Sequence, residues 1–141
     1  MTAGGPGAGY SGTPLPRKLG IHPGARVALL GAPEGARALL DPLPDGVRVI
    51  GRLAADLDVV VIFAARRADL ARRLPRARAA MRPDTALWMA WPKKASGVAT
   101  DLSGDVVREM GLAAGLVDNK VCAIDAVWSG LCFVLRLRDR P

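Results

Sequence analysis

Aromatic side chains are scarce in this chain: three tryptophans, one tyrosine and two phenylalanines among 141 residues. So few rings leave little on which successive nucleobases stack, which counts against a single-strand nucleic-acid binder. One histidine and two cysteines are too few, and wrongly spaced, for a structural zinc site. Cys122 and Cys132 read instead as reduced thiols within strands, small core residues rather than nucleophiles. The longest apolar run, "DVVVIFAA", falls far short of a bilayer span. No basic stretch followed by an apolar one opens the chain, so no signal peptide is expected and the expected compartment is the cytosol.

What is abundant is equally informative. Half of the residues are hydrophobic, which excludes disorder for most of the chain, and the length suits one domain. Residues 1–12, "MTAGGPGAGYSG", are glycine-rich and expected to be flexible, with Tyr10 the one candidate there for docking. Residues 13–141 are expected to form the single domain. The formal net charge is +7, and the segment Arg66 to Arg82 alone, with seven arginines and one aspartate, carries +6 of it. That leaves +1 for the rest. Sixteen of the twenty basic residues are arginine, and with abundant Ala, Gly and Pro this is also what a GC-rich coding sequence produces. On a helical wheel these arginines spread around the arc opposite Leu70, Leu74, Ala77 and Met81. A mainly solvated helix face is expected, with nucleic acid at Arg66–Arg82 as the competing reading and no membrane contact.

Strand and helix patterns alternate. "RVALL" (26–30), "GVRVI" (46–50), "LDVVVIFA" (57–64) and "TALWMAW" (85–91) read as strands. Between them lie a short helix in "EGARALL" and a helical segment over 66–82 that Pro75 is expected to split. Asp101 to Ala114 reads as a helix capped by Thr100, Asp101 or Ser103, and "LVDNKVCAID" and "LCFVLRLR" as an antiparallel pair joined at "AVWSG". The expected fold is α/β: a Rossmann-like three-layer sandwich, its sheet mainly parallel with a C-terminal antiparallel hairpin. The uninterrupted apolar segments 26–30, 57–63 and 87–91 should be its central strands. Ligands of such sheets bind at the carboxyl ends of the strands, where "GAPEG" (31–35) and "PKKASGVATD" (92–101) both lie.

The element order, the closing hairpin and "LGIHPGARVALLGAPEG" resemble the class I S-adenosylmethionine-dependent methyltransferase fold, trimmed of one strand–helix unit. "LDVVVIF" and "TALWMAW" are similar to its fourth and fifth strands, and "DVVREMGLAAGLVDNKVCAI" to its last helix and sixth strand. More closely, "GYSGTPL", "WPKKASGVATDL", "GLVDNKVCAID" and "WSGL" resemble an uncharacterised bacterial family of domains of unknown function. The methyltransferase resemblance implies an acidic residue where Leu29 stands, a glycine where Pro33 stands, and a ribose-binding carboxylate that "VIGRL" lacks; Glu34 alone offers a carboxylate nearby. From these departures no cofactor is expected, with S-adenosylmethionine the candidate if one binds, and then weakly.

The candidate ligand-binding residues are Gly31, Glu34 and Gly35 in the first loop and Lys93, Lys94, Ser96 and Gly97 in the second. The lysines neutralise an anion, and the serine and loop amides donate to its oxygens; an ordinary solvated loop with a helix cap is the competing reading. His22 is a turn residue or a general base. Trp91 and Trp128 wall a pocket or simply pack. Asp118, Asn119 and Lys120 form a polar cluster or a local turn. No catalytic residue is assigned. The expected function is a non-catalytic module binding a small anion or a protein partner through the rim loops. The alternatives are a divergent methyltransferase, which is also the class expected if the chain is an enzyme, and an RNA-binding accessory protein.

Overall fold

Strands that are apolar on both faces must be covered on both faces, and the architecture follows from that. The computed structural model describes residues 13–136. In it β1 (Arg26–Leu30), β3 (Val59–Phe63) and β4 (Ala86–Pro92) run parallel and adjacent, with the short β2 (Arg48–Ile50) beside β1. After β4 the sheet continues with β6 (Trp128–Leu135) and then β5 (Leu116–Ala123), giving the order β2-β1-β3-β4-β6-β5. All three segments expected at the centre are interior strands. The expected C-terminal hairpin is present, but its reversed strand β6 lies inside the sheet, antiparallel to both neighbours, and β5 forms the edge.

Alternate residues of the strands feed two cores. Ala28, Leu30, Val60, Ile62, Leu87 and Met89 pack with Leu70, Leu74 and Ala77 of α2 (Arg67–Ala79) and Val107 of α3 (Gly104–Ala113). Val27, Leu29, Val59, Val61, Trp88 and Ala90 pack on the other face with Leu19 of α1 (Leu15–Leu19) and with Ala36 and Leu40 of a 3-10 turn, Ala36–Leu40. Trp88, fully buried, donates its indole N–H to the Leu19 carbonyl at 3.0 Å, so its one polar atom is satisfied. The result is the expected three-layer sandwich. Among the described residues no helix is long and apolar enough to cross a membrane.

Several local expectations are corrected. Pro75 does not split its helix: α2 is continuous from Arg67 to Ala79. Proline removes one hydrogen bond, to the carbonyl of Ala71, and both residues lie on the solvent side of the helix, where that loss is least costly. α1 was not expected from the sequence; it is five residues long, opened by prolines at 14 and 16 and closed by Gly20 in the left-handed region. β6 begins at Trp128, inside the stretch read as a turn. The segment 1–12, with Tyr10, lies outside the described residues.

Candidate functional site

β1, β3 and β4 end together at Leu30, Phe63 and Pro92, and the chain immediately after β1 admits only glycine. Gly31 has φ +66°, and a Cβ there would stand 2.7 Å from the Phe63 carbonyl oxygen. Any side chain would have to push a backbone atom of the neighbouring strand. Gly35 is also left-handed, at φ +83°, and starts the 3-10 turn. The tight turn at Gly31 leaves a shallow cleft of about 260 Å³ lined by Leu29, Pro33, Gly35, Ala36, Ile50 and Gly51, among others. Glu34 is exposed and is not among the residues lining it.

A second cleft, of about 400 Å³, opens on the opposite face of the same rim. Leu30, Gly51, Arg52, Leu53, Arg72, Arg73 and Arg76 line it, so Gly51 borders both openings. Sequence reasoning missed this cleft. The signal was in "VIGRL", read for its missing carboxylate and not for Arg52, and in the spacing 72, 73, 76, which places three arginines on one side of a helix.

The loop after β4 is tied elsewhere. The Lys93 amide donates to the Val127 carbonyl at 2.7 Å, fastening the loop to the β5–β6 hairpin. The Ser96 hydroxyl donates to the Lys93 carbonyl at 2.6 Å and accepts from the Val98 amide at 3.1 Å. Gly97 closes the intervening 3-10 turn in the left-handed region. β3 stands between β1 and β4, and neither Lys93 nor Lys94 lines the two clefts beside Gly31–Gly35. The polar residues further along this loop are structural. Thr100 donates to the Ala65 carbonyl, and the Asp101 carboxylate accepts from the Arg67 amide at 2.6 Å. Asp101 therefore caps α2, the preceding helix, while Ser103 caps α3 by accepting from the Val106 amide at 3.3 Å.

The other candidates resolve into packing or ion pairs. His22 lies at the opposite end of the sheet, before β1, with Nδ1 3.0 Å from the Pro23 carbonyl and Nε2 4.0 Å from Asp58. Asp58 also pairs with Arg82 at 2.9 Å, so an ion pair joins the residue before β3 to the segment before β4 at this end of the sheet. Trp91 is buried in the core, and Trp128 meets Phe63 edge-on with centroids 5.2 Å apart. Asp118 pairs with Arg108 of α3 at 3.1 Å. Burial pushes the Cys122 thiol up and the Cys132 thiol up to about 12, so neither is a ready nucleophile.

No protein-family model matches the sequence, and no curated protein matches it. Solved structures do match in fold. The mitomycin 7-O-methyltransferase MmcR aligns with TM-score 0.61 and 16% identity over 79% of this chain and 49% of its own. DhpI, in a complex with SAH, aligns with TM-score 0.59 and 13% identity over 89% of this chain and 83% of its own. Magnesium protoporphyrin IX methyltransferase from Synechocystis, with bound SAH, aligns with TM-score 0.54 and 12% identity over 81% and 75%. The chain spans about half the length of MmcR. The fold is thus that of the S-adenosylmethionine-dependent methyltransferases. This corrects the expectation that no cofactor binds: the fold's neighbours are predominantly enzymes of this cofactor. That expectation weighed the residues at 29, 33 and 51–52, and Leu29, Pro33 and Gly51 do line the cleft between β1 and β2, but as apolar and backbone wall rather than as polar partners.

Proposed function

We propose that this chain is a methyltransferase-type domain that binds S-adenosylmethionine in the cleft between the ends of β1 and β2. The observation that carries the reading is the sheet itself, β2-β1-β3-β4-β6-β5 with one reversed strand, together with its likeness to solved methyltransferases. The residues fit the cofactor through backbone more than through side chains. Gly31 makes the tight turn after β1, where a Cβ would meet the Phe63 carbonyl, Gly35 turns the loop back, and Leu29, Ala36 and Ile50 supply an apolar wall. When bound, the cofactor supplies a methyl group on a sulfonium sulfur for transfer to a nucleophile. Leu29, Ala36 and Ile50 would hold the cofactor's apolar part, and the loop of Gly31 and Gly35 would supply backbone groups to its polar part. This reading replaces that of a non-catalytic module.

Isothermal titration with S-adenosylmethionine and with S-adenosylhomocysteine tests it. The expected result is a dissociation constant in the micromolar range, corresponding to about −8 kcal/mol. Gly31→Ala should weaken it at least about tenfold, since the loop must move off the Phe63 carbonyl. Absence of binding by either compound at about 1 mM, a limit of roughly −4 kcal/mol, would end the reading.

A further inference from the structure

The larger cleft on the α2 face has a different chemistry. No acidic residue lines it, and four arginines do. Arg72 is paired with Asp69 of the same helix at 3.0 Å, but Arg52, Arg73 and Arg76 have no ion-pair partner among the described residues. Two arginines elsewhere do find carboxylates: Arg82 meets Asp58 at 2.9 Å and Arg108 meets Asp118 at 3.1 Å. Arg17, Arg26, Arg37, Arg48, Arg66 and Arg67 also have no ion pair among the described residues, so what sets this opening apart is that Arg52, Arg73 and Arg76 border one concavity. Guanidinium groups gathered around one concavity repel each other, and an anion placed among them removes that cost. Each also offers a planar fork of donors matched to phosphate or carboxylate oxygens. Arg73 reaches the rim itself, its Nε 3.4 Å from where a Cβ on Gly31 would stand.

We propose that this cleft binds a small organic anion, a phosphate or carboxylate on an apolar body. Arg52, Arg73 and Arg76 hold the anionic oxygens, and the apolar part rests on Leu30 and Leu53. The volume, about 400 Å³, lies within the range of small-molecule sites. The site is distinct from the Lys93–Lys94 loop and does not rest on cofactor binding: apart from Leu30 of β1 its residues come from α2 and the segment after β2, and it shares only Gly51 with the cleft between β1 and β2.

The test is a titration of the whole chain, free of S-adenosylmethionine, with phenyl phosphate, benzoate and the neutral benzyl alcohol, followed by amide NMR shifts and calorimetry. Phenyl phosphate should bind and shift the amides of 51–53 and 72–76, benzoate should bind more weakly at the same amides, and benzyl alcohol should not bind. The double variant Arg73→Gln/Arg76→Gln should lose at least about tenfold in affinity, or about 1.4 kcal/mol. The double variant Arg66→Gln/Arg67→Gln removes the same charge from the first turn of the same helix and should change affinity less than about twofold. Arg73→Lys/Arg76→Lys keeps charge and aliphatic stems and should fall between them, which guards against a glutamine variant that misfolds. Equal losses in the two glutamine variants, no binding of either anion, or benzyl alcohol binding as well as phenyl phosphate would each overturn the proposal. So would an RNA oligonucleotide that binds with steep salt dependence and that phenyl phosphate does not displace, which would assign the arginines to a nucleic-acid surface.

Discussion

A methyl group added at Gly111 sets two well-known effects against each other. Gly111 lies inside α3, where glycine to alanine ordinarily stabilises a helix by about 1 kcal/mol. Here the new Cβ would stand 2.1 Å from Cε2 of Phe133 and 2.6 Å from its Cδ2 and Cζ. Carbon atoms rest about 3.5 Å apart at closest comfortable contact, so ring and helix must separate by roughly 1.4 Å. Phe133 is fully buried on β6 and opposite Leu87 of β4, so the ring has nowhere to retreat. Overpacking of this kind costs up to about 3 kcal/mol. Set against the helix gain, Gly111→Ala should destabilise the fold by about 2 kcal/mol, lowering the melting temperature by roughly 6–10 °C. Urea unfolding with an unchanged m-value is the assay. A double-mutant cycle with Phe133→Leu should show the two changes less harmful together than summed, by more than about 1 kcal/mol. A Gly111→Ala protein as stable as the parent, or a cycle with no coupling, would refute the packing argument.

Two further expectations concern the rim and the core. Asp101→Ala removes the acceptor for the Arg67 amide and the negative charge at the start of α2; unfolding should show a loss of about 1 kcal/mol, with Asp101→Asn recovering most of it. The raised Cys132 pKa makes stability depend on pH in one direction: protons stay on the folded thiol while the unfolded one ionises, so the contribution is complete below about pH 9 and lost as pH rises toward about 12. Melting temperatures measured between pH 8 and 11 should fall less steeply in Cys132→Ala than in the parent, and native Cys132 should resist alkylation at neutral pH; equal slopes would contradict the burial argument.

The strands were legible because their burial is written in composition. Val59 to Phe63 is apolar at every position and buried at every position, and the parallel centre of the sheet follows from such segments. The glycine turn after β1 was also readable, since Gly31 and Gly35 stand where a strand ends and both are left-handed. What was not legible depends on which loops meet in space. Asp101 sits beside Ser103 in sequence, yet it caps a helix 34 residues upstream, and no spacing rule links it to Arg67. Ser96 presents the chemistry of an anion donor, but its hydroxyl is engaged with Lys93 and Val98 of its own loop. The helix over Pro75 was misread because the cost of proline depends on which side of the helix it occupies.

The arginine cleft has a topological cause. A parallel crossover usually carries a helix that packs over the strands it joins. Here only residues 51–58 connect β2 to β3, and no helix forms within them. On that face Leu53 and α2 pack with β1 and β3 in one cluster, with no crossover helix beside them. Leu30 is nonetheless only 5% exposed. Arg72, Arg73 and Arg76 line the opening over it, and their aliphatic stems can lie along the apolar floor while the charged heads stay in the cleft. Shielding a leucine would have needed only the stems, which lysine or glutamine also provides in part. It does not account for Arg52 at the opposite wall, nor for the missing carboxylate among the seven residues that line the cleft. The arginines line the opening on the side where a crossover helix would ordinarily lie. The guanidinium groups give that opening an anion's complement.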